Sequence, residues 1–100
     1  MDKDGYPQDN EIKFLTEIPT SDFKNNAIEI LRLFETTGYG GGKVFDNRDG
    51  TVSLELYTGG WSGCEDMIGA LAENKIWWLM FWQESKRGGH FLFSANKDFA

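Results

Sequence analysis

One hundred residues make one domain, and 40% apolar with 15% aromatic content is enough to bury a compact core. The formal net charge of −6 excludes the basic footprint of a nucleic-acid binder, so no direct nucleic-acid contact is expected. Its longest apolar run, Ile76 to Trp82, is too short to cross a membrane, and with Cys64 as the single cysteine no internal disulfide can form.

The N-terminus, Met1-Asp2-Lys3-Asp4-Gly5, is polar and lacks a signal-peptide core, which together with the cysteine count points to a cytoplasmic protein. Residues 1–10 read as a flexible acidic lead, 11–95 as a single domain and 96–100 as a C-terminal tail. Ile12, Phe14, Leu15 and Ile18 read as a docking segment or edge strand that Pro19 ends. Thr20, Ser21 and Asp22 offer N-cap oxygens to a first helix. Its buried stripe is Phe23, Ala27, Ile30, Leu31 and Phe34, and Gly38 is placed to end it.

Gly40-Gly41-Gly42 reads as a flexible connection. Lys43–Asp46 then forms a strand and Asn47-Arg48-Asp49-Gly50 a turn. From Thr51 to Thr58 the pattern alternates, with Val52, Leu54 and Leu56 on one face and Ser53, Glu55 and Tyr57 on the other. Ser62 with Glu65 three residues on has the form of a capping box. A second helix follows, with Cys64, Met67, Ile68, Leu71 and Ala72 on its stripe and Asn74 at its end. Residues 76–84 read as an aromatic strand with both faces apolar. Ser85 to Gly89 is a loop, and His90 to Ser94 the returning strand.

The expected fold is therefore α+β, a two-layer arrangement in the order α-β-β-α-β-β, with two helices on one face of a four-stranded antiparallel sheet. A two-layer domain of this size can cover only one face of its sheet with its own helices. Trp78, Met80 and Trp82 are expected to fill the core. Trp77, Leu79 and Phe81 are expected to form an interface with Glu55, Tyr57 and Arg87. The open face should also bare either Phe91 with Phe93 or His90 with Leu92.

Chemistry-bearing constellations are thin. Gly59-Gly60-Trp61-Ser62-Gly63 opens a helix whose free N–H groups suit an anion. Trp61, Ser62, Gly63 and His90 are accordingly candidate ligand or anion residues. The turn lacks the Gly-Lys-Ser/Thr of a phosphate loop and the spacing of a dinucleotide fingerprint, and Glu65 and Asp66 would repel an anion there. Cys64 falls on an apolar stripe, which favours a structural thiol over a Cys-His pair with His90. One Cys and one His cannot complete a zinc site. No catalytic residue, cofactor or metal is expected.

The segment Leu56–Phe93, with its Thr58-Gly59-Gly60-Trp61-Ser62-Gly63 turn and Arg87-Gly88-Gly89-His90 hairpin, resembles small phage and prophage accessory proteins. That resemblance implies a mobile-element origin, with inhibition of host defence, including anti-CRISPR activity, as the associated role. It supplies no catalytic residue. The expectation is a non-enzymatic inhibitor that occludes a host protein in the host cytoplasm, with a nucleic-acid-binding defence complex among the candidates. Asp46, Asp49, Glu55, Glu65 and Asp66 would then stand in for phosphates. The alternatives are a homodimeric interaction module, or a small-molecule binder or enzyme using a cleft from Trp61 to His90.

Overall fold

The computed structural model describes residues 4–96; residues 1–3 of the acidic lead and 97–100 of the tail lie outside the described residues. The described residues are α+β, with four helices and a four-stranded antiparallel sheet. In chain order these are α1 (Asp9–Glu17), α2 (Phe23–Thr36), β1 (Gly41–Asp46), β2 (Thr51–Tyr57), α3 (Ser62–Glu73), α4 (Lys75–Phe81), β3 (Trp82–Lys86) and β4 (His90–Asn96). The order is thus two helices and a hairpin, twice over, which replaces the expected α-β-β-α-β-β.

The sheet runs β1-β2-β4-β3. Its register sets Val44 beside Leu54 and Leu54 beside Phe93, so the buried row on one face crosses three strands. The opposite row carries Lys43, Glu55, Leu92 and Glu84. Ser53, Glu55 and Tyr57 occupy this open face as expected, and His90 with Leu92, not Phe91 with Phe93, is the pair that joins them. Helix α2 packs on β1 and β2, α4 on β3 and β4, and α1 on α3. One core joins Leu15, Phe23, Ile30, Phe34, Leu54, Leu56, Met67, Leu71, Trp77 and Phe93, all buried.

The largest departure from expectation is the aromatic run. It is a helix through Phe81, and only Trp82–Lys86 is strand. A continuous apolar run carries no period that separates strand from helix. Tertiary packing decides: helical spacing turns Trp77 and Phe81 inward together, over Phe23 and Phe93. A strand would have sent both to the face away from Trp78. Asn74 starts the helix, its side chain accepting from the Trp77 N–H at 3.5 Å. Its amide donates to the carbonyl of Ile18 at 2.9 Å, which ties the end of the first helical segment to the α3–α4 joint.

Residues 9–17 are likewise helix, which makes them a docking segment rather than an edge strand. The Glu11 carboxylate accepts from the Gln8 N–H at 2.9 Å at its start, and Leu15 is buried against the core. The lead is not wholly free either: Gly5 is buried, and its carbonyl accepts from Trp61 Nε1 at 3.0 Å. Helix α2 begins at Phe23 as expected, but Asp22 makes no side-chain cap bond. Helix α3 starts a residue early, with Trp61 as N-cap. Ser62 lies inside it, so the Ser62–Glu65 capping box does not form; the Ser62 hydroxyl meets the Tyr6 hydroxyl at 3.0 Å instead. Ala72 is exposed, and Ala70 takes its place on the buried stripe. Gly41 and Gly42 belong to β1 rather than to a flexible link. At Gly42 a side chain would collide with the Glu55 carbonyl of the paired strand, so the glycines admit close strand approach.

Candidate functional site

The two turn motifs meet at one end of the sheet. The Thr58 N–H donates to the Gly89 carbonyl at 3.0 Å. Gly89 has φ +78°, and a Cβ there would strike the buried Thr58 hydroxyl. Tyr57 and His90 are paired across the strands, with ring centroids 5.9 Å apart. Trp61 lies to the helix side of this junction. Tyr39 stacks on it at 4.4 Å and Tyr6 leans on it at 5.1 Å. The stacked Tyr39 covers one face of the indole and the Gly5 carbonyl accepts from its Nε1, so these rings brace the N-terminal residues against the turn.

Trp61 and His90 open onto different hollows. Trp61 borders a shallow one of about 500 Å³ with Tyr6, Thr37 and Tyr39. His90 borders a smaller one of about 170 Å³ on the open face, with Phe45, Glu55, Glu84, Lys86 and Leu92. Ser62 is engaged by Tyr6, and Gly63 is buried beneath the Trp61 indole, where a Cβ would lie 2.7 Å from Nε1. The expected anion turn is therefore filled by the chain's own aromatic side chains. Arg87 is exposed at the β3–β4 tip.

Cys64 is buried. Its thiol lies 3.4 Å from the Thr37 hydroxyl, and burial pushes its pKa up. That is the opposite of an activated nucleophile. Thr37 also accepts from the N–H groups of Tyr39 and Gly40 at 3.0 and 3.1 Å, so the pair belongs to the end of α2. Among the described residues, no group of three or more His, Cys, Asp or Glu side chains could hold a metal ion. No helix among the described residues is long and apolar enough to cross a membrane.

Comparison with protein families, curated proteins and solved structures finds no match.

The expected interface half of the aromatic run is corrected by burial. Trp77 and Phe81 are 0% and 1% exposed and belong to the core, while Leu79 is 81% exposed. Its companions are Ile76 at 68%, Met80 at 41% and Trp82 at 40%. Met80 and Trp82, expected in the core, are thus exposed, and Trp78 is half-buried between Phe93 and Trp82. On a helix Ile76, Leu79 and Met80 fall at i, i+3 and i+4, and Leu79, at the centre of this ridge, points directly away from Trp77 and Phe81. Sequence reasoning missed this ridge because it gave the run a period of two. Glu55 and Tyr57 lie on the opposite side of the sheet from Leu79, so the expected contact residues do not make one surface. Nor do the five carboxylates: Asp46 and Asp49 sit at the β1–β2 turn, Glu65 and Asp66 beyond the other end of β2.

Proposed function

We propose that the chain is a non-enzymatic protein-binding module that occludes a surface of its partner, with the outer ridge of α4 as the contact. The exposure of Ile76, Leu79, Met80 and Trp82 on one short segment carries this reading. Contiguous large apolar residues left in water mark interaction sites, and aromatic and aliphatic anchors dominate binding energy. The motif resemblance directs the partner: a host defence protein, a CRISPR–Cas component among the candidates, met in the host cytoplasm by a phage-encoded inhibitor. The charge of −6 favours a basic, nucleic-acid-binding target.

The test is affinity capture from host lysate with the wild-type chain and with Leu79→Asp and Ile76→Asp, followed by binding of the identified protein to purified chain. Both variants keep the fold, since neither residue is in the core, and both lower affinity at least tenfold. Affinity unchanged by either substitution refutes the ridge as the contact. The same ridge would serve a second copy in a homodimer. Light scattering separates the two, because a dimer that Leu79→Asp dissociates assigns the ridge to self-association.

A further inference from the structure

The open face of the sheet is a second surface, on the far side from the ridge, and it has a different chemistry. Its hollow of about 170 Å³ is bordered by Phe45, Leu92 and Phe91 with Glu55, Glu84, Lys86 and His90 around them. Sites for drug-sized molecules run to roughly 300–1,000 Å³, so this one has room for a single side chain rather than a cofactor.

Two observations select that side chain. Glu84 is engaged by Lys86 at 3.4 Å. Glu55 is half-buried, flanks Leu92 in the strand register, and has no ion pair or side-chain hydrogen bond among the described residues. A carboxylate partly desolvated beside apolar groups gains from a cation that donates hydrogen bonds to it. The neighbouring ring already attracts one, since the Lys43 ammonium lies 5.0 Å from the Phe45 ring centroid. Lys43 stands directly across from Glu55 in the register, yet its charge rests over the ring.

We infer that the open-face hollow binds an arginine side chain of a partner protein, with the guanidinium on Glu55 and its stem over Leu92 and Phe45. Arginine suits the site better than lysine, because its planar fork meets a carboxylate in two bonds while its face stacks on rings. The inference rests on the reading of the chain as a protein binder and states what the partner must present.

The experiment needs no partner, so its outcome is separate from that of lysate capture. N-acetyl-arginine amide is titrated into isotope-labelled chain and followed by backbone amide shifts. N-acetyl-citrulline amide, neutral and of the same shape, and N-acetyl-lysine amide are the comparison probes. Saturable shifts centred on Phe45, Glu55 and Leu92 are expected with the arginine probe. Binding should weaken about tenfold in Glu55→Gln, and as much for citrulline against arginine. Shifts that fail to saturate, persist in Glu55→Gln, or match with citrulline overturn the site. Equal binding of the lysine probe overturns the choice of arginine.

Discussion

Trp77 offers the sharpest test of the core. Its ring is fully buried, stacked on Phe23 at 6.0 Å, edge-on to Phe81 at 5.3 Å and tilted over Phe93 at 5.0 Å. Its indole Nε1 is also buried and meets no acceptor among the described residues. These two facts pull in opposite directions. Truncation to alanine removes the whole contact set and leaves a cavity, at a cost of about 3–5 kcal/mol. Trp77→Phe keeps a ring in place and removes the pyrrole portion, which forfeits about 1–2 kcal/mol of apolar contact. The same change deletes a buried donor whose desolvation costs about 1–3 kcal/mol. The net change for Trp77→Phe therefore lies between about 1 kcal/mol of loss and about 2 kcal/mol of gain. Urea unfolding at 25 °C measures both variants against wild type, from midpoints at constant slope. A loss near 3 kcal/mol for Trp77→Phe, approaching that of Trp77→Ala, would refute the argument and mean that the donor is satisfied in solution.

Other substitutions read other parts of the molecule. Gly89→Ala forces a side chain at φ +78° into the Thr58 hydroxyl, whereas Gly88→Ala, at φ +87°, meets nothing closer than the His90 ring at 3.6 Å. Gly89→Ala should cost about 1–3 kcal/mol more than Gly88→Ala in the same unfolding assay, and equal losses would deny the close approach. The Thr51 hydroxyl donates to the Asp49 carboxylate at 2.7 Å and holds its pKa below the usual value, with the Thr51 N–H assisting at 3.0 Å. A depressed folded pKa gives stability that is present above the unfolded carboxyl's value and lost as pH falls through the folded one. Thr51→Val should accordingly raise the Asp49 midpoint in a carboxyl NMR titration and flatten the acid limb of stability; an unmoved midpoint counts against the bond. For Cys64 the sign reverses. A raised folded pKa gives stability that is complete below the unfolded thiol's pKa and is lost as pH rises from there through the folded value. Iodoacetamide should modify the native thiol only as fast as the chain opens, and prompt labelling would show that it is accessible.

The parts of the fold legible in the sequence are those whose side chains punctuate their own period. In β2 the exchange of Val52, Leu54 and Leu56 with Ser53, Glu55 and Tyr57 fixes both strand and faces. In α2 the stripe from Phe23 to Phe34 stands out against Lys24, Glu29 and Arg32. Helix α1 has one buried residue, Leu15, so its stripe is too thin to announce itself. The spacing of Gln8 and Glu11 was the available signal. In α4 the difficulty is the reverse, since seven apolar residues in a row hide which ones face the core. Asn74 three residues before Trp77, and Phe81 four after it, were the clues to a capped helical turn. The ridge was illegible for the same reason, because an apolar residue pointing outward has the same letter as one pointing in. The open-face hollow was half legible. The alternation of β2 puts Glu55 on the open face and leaves His90 with Leu92 as one of two pairs for it, but their meeting with Phe45 and Glu84 depends on strand order, which no local pattern encodes.

The seam between β2 and β4 has a consequence for how the chain reaches this state. Each hairpin closes locally, yet the seam pairs Tyr57 with His90 and Thr51 with Asn96, residues 33 and 45 positions apart. Neither helix-helix-hairpin half contains a complete sheet, and the Asn74 bond to Ile18 likewise waits for both halves. Loop closure of that length precedes any gain from seam contacts, so joining the two hairpins is expected to be the slow step of folding. The halves expressed separately would lack each other's central strand, and would recover the sheet only by finding one another in solution.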